Sequence, residues 1–529
     1  MKLKHGSIID TLFGMVDRSP RGSHQYLPVW STGTDPSNRL RLPPRQVLTR
    51  VGLTLAQPSR MKERPRLAPH VLPRLYSSDE SYVVLYDTEV LRSHPISRRA
   101  WNCVAAMDGT RDIDGLAAAL TARGAGAARE EVVQFVTELD EHGLLREGVV
   151  EPTHEPERGP RPVKPVRQLP NYKLHCSGRG SCCRFYPSIA FTPLDVAKAR
   201  AHCPDVEDGG HDERRVFVSL IGVDSPMRAV GTRDGKCSFL GADGACQIHR
   251  RAGEQAKPAG CSLYPSRFVD DGEAIRVIPH LECACVFTSD ASPSSSGATL
   301  LPETVATSDA LPGAASIERL ADPVVMTHEE TASLREVVAF FEQRAETTTD
   351  VVAEFLDVAR SAGTRAPPSV EVTSPMAYVE LFQAALLSLE GRVKRLAEEP
   401  WRSSVDLVRV TANALVMAID LAKSNLDALL EGGGNYHRHE TFYYRTHVFG
   451  FGLLARSGTR SVRVNAFDRA FRVLLGRALA IVVNLASLTD HAFDAPLALV
   501  EASMRGYGLA AYIRDIETDV EATFAESTS

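Results

Sequence analysis

No uncharged apolar run in this 529-residue chain approaches the roughly 20 residues that a bilayer-spanning helix needs; Ala478 to Thr489 is among the longest in the C-terminal third. No membrane span is expected. A dominant charge sign is also missing. The formal net charge of -6, with 24% charged residues, argues against a dedicated nucleic-acid binder. The first residues, MKLKHGSIIDTLFGMVDR, begin basic, but Asp10 interrupts the apolar stretch and no small-residue cleavage site follows cleanly, so a secretory signal is not read. Two enzyme signatures are lacking as well. No glycine-rich strand-to-helix loop precedes an acidic residue, as a Rossmann-type nucleotide site requires. No C-x3-C-x2-C triplet stands ready to leave one iron of a cluster open.

Cysteine is what the chain has, and it is concentrated. Nine of the ten cysteines fall between Cys176 and Cys285, and only Cys103 lies outside. Without an export signal they are expected in the reducing cytoplasm, where thiols bind metal rather than pair as disulfides. Thiolate is a soft anionic ligand that favours zinc and iron–sulfur clusters over hard cations. The stretches are HCSGRGSCC, GKCSFLGADGACQIH, KPAGCSLYP and HLECACVF. Gly178 and Gly180, and then Gly241 and Gly244, permit the tight dihedrals that short chelating loops need. Glycine-rich loops also expose backbone N–H groups that can donate to sulfur. The candidate metal ligands are Cys176, Cys182, Cys183, Cys237, Cys246, Cys261, Cys283 and Cys285. Adjacent Cys182 and Cys183 are expected to point apart and so not to share one ion. Cys283 and Cys285 are expected on one side of an extended strand. His249, three residues after Cys246 on a helical turn, is either a further ligand or a solvent-side or supporting histidine. Cys203 and Cys103 are expected to be buried thiols outside the site.

The length implies two to four domains, and the pattern suggests an α+β multidomain chain. Residues 1–60, rich in Arg, Pro and Ser, are expected to be disordered, or to precede a true start at Met61. Over 61–148 the pattern is a strand at Tyr82–Tyr86, then three helices, then Leu144-Leu145. The helices are marked by Ile96, Ala100 and Val104; by Asp112 as N-cap with Ile113, Leu116, Ala117 and Leu120; and by Val132, Phe135, Val136 and Leu139, stopped at His142-Gly143. This is the order of a small winged-helix domain. A proline-rich linker follows over 149–170, then a loop-rich cysteine domain over 171–288, then a Ser/Ala/Pro-rich linker over 289–325. A helical bundle is expected over 326–529, opening at the capping box Thr327-His328-Glu329-Glu330 with Leu334, Val337, Val338 and Phe341 on one face. Val379 to Leu396, Ser404 to Leu430 and Asn465 to Leu488 supply its long amphipathic helices. His437-Arg438-His439 is expected in an exposed loop, while Tyr443, Tyr444 and His447 have the spacing of packing residues and His491 is ambiguous.

The runs WNCVAAMDGTRDIDGLAAAL and VVQFVTELDEHGLL resemble the PqqD-like peptide-chaperone family. That resemblance implies capture of a peptide as an added strand at an open sheet edge. The cysteine text resembles the YkgJ-type zinc- or iron-chelating family, in the arrangement of flagellin lysine-N-methylases. It is carried by Cys176, Cys182-Cys183, Cys237-Ser238-Phe239-Leu240, Cys246-Gln247-Ile248-His249, Lys257-Pro258 and Cys261-Ser262-Leu263-Tyr264-Pro265. Where that family often has a proline after its last cysteine, none follows Cys283 or Cys285. TFYYRTHVFGFGLL and ASLTDHAF resemble the methylases' C-terminal half. The resemblance implies an iron–sulfur cluster of the [4Fe–4S] kind, or zinc, and S-adenosylmethionine-dependent methylation of a protein lysine. Two classes of function follow: modification of a peptide or protein partner, or a non-catalytic metal scaffold or redox sensor.

Overall fold

The computed structural model describes residues 62–68, 71–75, 82–87, 92–122, 128–147, 163–176, 178, 180, 182–185, 190–208, 216–219, 228–230, 232–233, 236–291, 299–302, 304–311, 317–319, 336, 339–344, 348–362, 374–398, 406–432, 437–450, 452–453, 461–488 and 493–526. Residues 1–60, the Thr327–Glu330 capping box, Leu334, Val337, Val338 and His491 lie outside them. The described residues mix helix and strand in an α+β arrangement. No described helix is long and apolar enough to cross a membrane.

The first unit contains β1 (Pro65–Leu67), β2 (Val71–Leu75), β3 (Tyr82–Asp87), β4 (Arg92–Ser97), α1 (Arg98–Ala106), α2 (Ile113–Ala122), α3 (Arg129–Glu141) and β5 (Leu145–Glu147). β3 lies between β2 and β4, antiparallel to both, while β1 pairs with β5. The helices stand where the apolar period puts them, with Leu116, Leu120, Phe135 and Leu139 fully buried. Asp112 accepts from Gly115 N at 2.8 Å, as an N-terminal cap does. Gly143 takes φ +73°, which ends α3. One expectation changes: Ile96 lies in β4 rather than in the first helix, because Ser97 caps α1 by accepting from Ala100 N at 3.1 Å.

Cysteine-bearing segments follow, with β6 (Val166–Gln168), α4 (Cys182–Phe185), β7 (Ala190–Phe191), α5 (Pro193–His202), α6 (Pro204–Asp208), β8 (Phe217–Ser219), β9 (Arg228–Val230), β10 (Thr232–Arg233), β11 (Lys236–Cys237), α7 (Gln247–Ala252), α8 (Ala259–Leu263), β12 (Ser266–Asp270), β13 (Ile275–Pro279) and α9 (Ala284–Ala291). β14 (Ile317–Arg319) joins a four-stranded sheet of order β14-β12-β13-β6. Both stretches expected as linkers thus contribute a strand. Val166–Gln168 pairs parallel to β13, and Ile317–Arg319 pairs parallel to β12. Backbone pairing overrides proline-rich composition there because each strand supplies hydrogen bonds to an otherwise open sheet edge.

The helical body comprises α10 (Val351–Ser361), α11 (Val379–Glu398), α12 (Asp406–Ser424), α13 (Leu426–Leu430), α14 (His437–Phe449), α15 (Val462–Leu485), α16 (Pro496–Gly506) and α17 (Glu517–Glu526). α15 is central, packing against α10, α12, α16 and α17. Phe341, Phe382, Leu386, Val393 and Leu396 are fully buried, as their spacing requires. The single helix expected over Ser404–Leu430 breaks at Asn425. There Ser424 Oγ and Asn425 Nδ2 turn back to Asp420 O and Leu421 O, at 2.9 and 3.1 Å, and compete with the helix ladder. His437, Arg438 and His439 form the first turn of α14 rather than a loop, because the apolar residues that follow carry the helix into the core.

Candidate functional site

The cysteine segments build a small lobe of their own. Phe191, Phe217 and Phe239 meet with ring centroids 5.5–5.9 Å apart, and Ile248, Val196 and Cys203 complete that core. Cys237 and Cys246 pack against it, half-buried. Their loop is closed by Leu240 N to Cys237 O at 2.9 Å, Gln247 N to Phe239 O at 2.9 Å, and a bridge between Leu240 and Cys246. The Phe239 N–H also donates to the Cys237 sulfur, an arrangement that stabilises a thiolate.

The Cys176–Cys183 loop is pressed onto this one. Gly180 has φ +68°, and a Cβ there would lie 2.5 Å from Leu240 Cδ1 and 2.6 Å from Gly244 O. Only glycine permits both the backbone turn and the approach. Cys183 N donates to Gly180 O at 3.1 Å, opening α4, which packs on β11 beside Cys237. Cys182 and Cys183 are therefore on a short helix; the side chain of Cys182 lies outside the described residues. Cys261 sits in α8, where its N–H donates to Pro258 O at 2.8 Å.

The charges of four thiols from three segments act on one another. Burial pushes the Cys237 thiol up to about 12, with the charges of Cys183 and Cys246 adding to it and the Phe239 N–H opposing. Burial raises Cys261 too, and Cys237, Cys183 and Cys246 raise it further. Such a group stays protonated until a cation neutralises it, so metal uptake would release protons. No group of three or more His, Cys, Asp or Glu side chains stands at ligand spacing among the described residues. The described cysteines are thiols rather than disulfide halves.

Cys283 and Cys285 are placed differently from the strand expectation. β13 ends at Pro279, Cys283 follows in a turn, and Cys285 lies in the first turn of α9. Both are buried in the core of the helical body, beside Val286 and Phe287. The Cys176 segment runs along the same helix. Tyr172 Oη donates to Val286 O at 3.3 Å, His175 N donates to Ser289 Oγ at 2.8 Å, and Ser289 Oγ donates to Cys285 O at 2.6 Å. His249 is exposed on α7, whereas Cys246, the residue before that helix, turns inward. Cys203 and Cys103 are fully buried, each in a hydrophobic core.

A second polar cluster lies in the helical body. Glu501 accepts from Arg469 at 3.0 Å, from Arg472 at 2.9 Å, and from Tyr443 Oη in a short contact. Arg472 also pairs with Asp468 at 2.8 Å, and Tyr512 Oη donates to Asp468 at 2.8 Å. Burial pushes the Glu501 carboxyl up, but Arg472 and Arg469 outweigh it and hold it well below the usual range. His447 lies against Tyr443, ring centroids 4.5 Å apart. Burial, reinforced by Arg469, drives its imidazole well below the ordinary value, so it is neutral. Sequence reasoning missed Glu501, Arg469 and Arg472; the available signal was charge set inside otherwise apolar helices.

No family model, curated protein or solved structure matches the chain.

Proposed function

We propose that this chain binds a soft metal through Cys183, Cys237, Cys246 and Cys261, as an iron–sulfur cluster or otherwise as zinc, and acts in modification of a peptide or protein. What supports the metal reading is that the Gly180 contact and the α4–β11 packing bring the Cys183 segment onto the Cys237–Cys246 loop, with Cys261 close enough for those three thiols to raise its own. Four sulfur donors with a backbone N–H on one of them suit either group. Cys176, Cys283 and Cys285, around α9, are the remaining candidate donors. A bound iron–sulfur group would supply redox or Lewis-acid chemistry, and zinc would hold the lobe together.

On this reading the first unit acts as a winged-helix peptide-recognition domain. Among the described strands β4 pairs with β3 alone, which suits addition of a peptide strand along its other edge. S-adenosylmethionine-dependent methylation of a lysine is the reaction proposed. The second reading, a non-catalytic scaffold or redox sensor, is favoured by the packing of Cys237 and Cys246 against the lobe's own core, where a metal would have a stabilising role.

The test is purification without oxygen, with iron, sulfide and zinc analysis and a visible spectrum. A brown protein with broad absorption in the blue supports the cluster, and a colourless one with stoichiometric zinc supports the scaffold. Protein free of both metals overturns the metal reading. Methyl transfer from labelled S-adenosylmethionine to lysine peptides then separates enzyme from scaffold.

A further inference from the structure

α3 of the first unit is closed by His142, whose N–H donates to Glu138 O and Asp140 O. β4 brings a second imidazole to the same place. Directly opposed residues of an antiparallel pair share a face, as do residues two apart. The register Leu85↔His94 and Val83↔Ile96 therefore puts His94 on the face that carries Val83, Leu85 and Ile96 into the core of this unit. Those three are apolar, and His94 breaks the series. His94 is buried and His142 half-buried, and their ring centroids stand 5.1 Å apart with the planes inclined at 55°.

That separation fits a shared ion. A tetrahedral zinc with imidazole nitrogens at about 2.0–2.1 Å holds two ring centres about 5 Å apart. Neutral imidazole is the commonest protein ligand for ions of this borderline class. Two imidazolium rings at the same separation would repel each other, whereas two neutral rings on one divalent ion do not.

The local field also favours a cation. The C-terminal end of a helix is the negative pole of its dipole, and the last turn of α3 holds Glu138, Asp140 and Glu141 and no basic residue. Lys62 offsets Asp140 in part, at 3.7 Å. Asp87, two residues beyond Leu85 on the same face, adds a buried carboxyl to this side of the sheet.

We infer that His94 and His142 chelate a divalent transition metal ion of the zinc or nickel class, with water or another small donor in the remaining positions. The site shares no residue with the cysteine lobe and does not depend on what that lobe binds. An ion held there ties β4, which among the described strands pairs with β3 alone, to the end of α3.

The test uses the full chain, purified without oxygen, beside His94→Gln, His142→Gln and the double variant. Each is titrated with Zn²⁺ and with Ni²⁺ by calorimetry. The parent should bind one equivalent of either ion that each single variant weakens at least about tenfold, since losing even a ligand's supporting partner costs about that much. The double variant should be no worse than the weaker single one, because removing either ring already breaks the chelate. Ni²⁺ should also raise the melting temperature of the parent and not that of His142→Gln. If His94→Gln, changed at a buried position, fails to fold, His142→Gln at the half-buried helix end decides through calorimetry and melting together. Binding that His142→Gln leaves intact overturns the site. Losses that add in the double variant mean two separate histidines and overturn the chelate. If neither ion shows a histidine-dependent equivalent, the 5.1 Å contact is ring packing alone and the inference falls. The count is a difference between parent and histidine variants, so iron, zinc or nothing on the cysteines leaves it unchanged.

Discussion

Glu501 is the residue on which the buried polar cluster turns, because two arginines and a tyrosine converge on its carboxylate. Glu501→Gln keeps the shape and removes the charge. With Arg469 and Arg472 left to share the single carboxylate of Asp468, the change should cost about 3–5 kcal/mol in urea unfolding. A loss below 1 kcal/mol would mean that the arginines are solvated after all. His447 makes a separate prediction about pH. Its folded value is depressed, so the unfolded chain takes up a proton that the folded one refuses. The stability this contributes is complete above the ordinary imidazole value of about 6.5 and is lost as pH falls below it, by up to about 1.4 kcal/mol per unit. Glu501 adds a second loss below the ordinary carboxylate range, since its value too is lowered. His447→Gln should flatten the stability profile between pH 6.5 and 5 and leave the steeper acid limb in place. An unchanged profile would show that the imidazole is not buried in solution.

At the scale of elements, the glycines of the cysteine loops separate two causes of strain. Gly178 and Gly180 have φ +70° and +68°, but a Cβ on Gly178 meets open space while one on Gly180 meets Leu240 and Gly244 O. Gly178→Ala should cost only the backbone penalty, about 1–2 kcal/mol. Gly180→Ala should also push the Cys183 loop off the Cys237–Cys246 loop. Metal content per chain should therefore fall in Gly180→Ala and hold in Gly178→Ala, and equal content in both would detach the Gly180 contact from metal binding. These loops show how far the sequence could be read. The need for glycine at 178 and 180 was visible in the spacing, and so were α2, α3 and α11, whose apolar residues recur at helical period. The placement of Cys283 and Cys285 was not. A C-x-C pair looks the same in a strand as at a helix start, and only the turn after Pro279 together with the packing of Phe287 against Phe442, centroids 5.6 Å apart, decides for the helix. The buried cluster was invisible for a related reason. Asp468 and Arg472, four apart on α15, read as a surface pair until α16 brings Glu501 over them.

At the scale of the molecule, the first unit is docked through its sheet. Strand alternation sends Val83 and Leu85 into that unit's own core, and sends Val84 and Tyr86 into the core of the helical body. Tyr86 Oη donates to Tyr507 O at 3.0 Å, across 421 residues of chain. β3 is thus buried on both faces, which explains why YVVLY is an unbroken apolar run rather than an alternating one. The peptide-binding edge proposed for β4 is therefore held at a fixed position against the helical body. Two substitutions test whether this docking couples the units. Tyr86→Phe removes one buried hydrogen bond and should cost about 0.5–1.5 kcal/mol while melting stays a single transition. Val84→Asp places a carboxylate in the shared core without touching Val83 or Leu85. It should split calorimetric melting into two transitions, one for the first unit and one for the body. A single transition lowered as a whole would instead make the two units one cooperative structure, and the sheet face part of a common core.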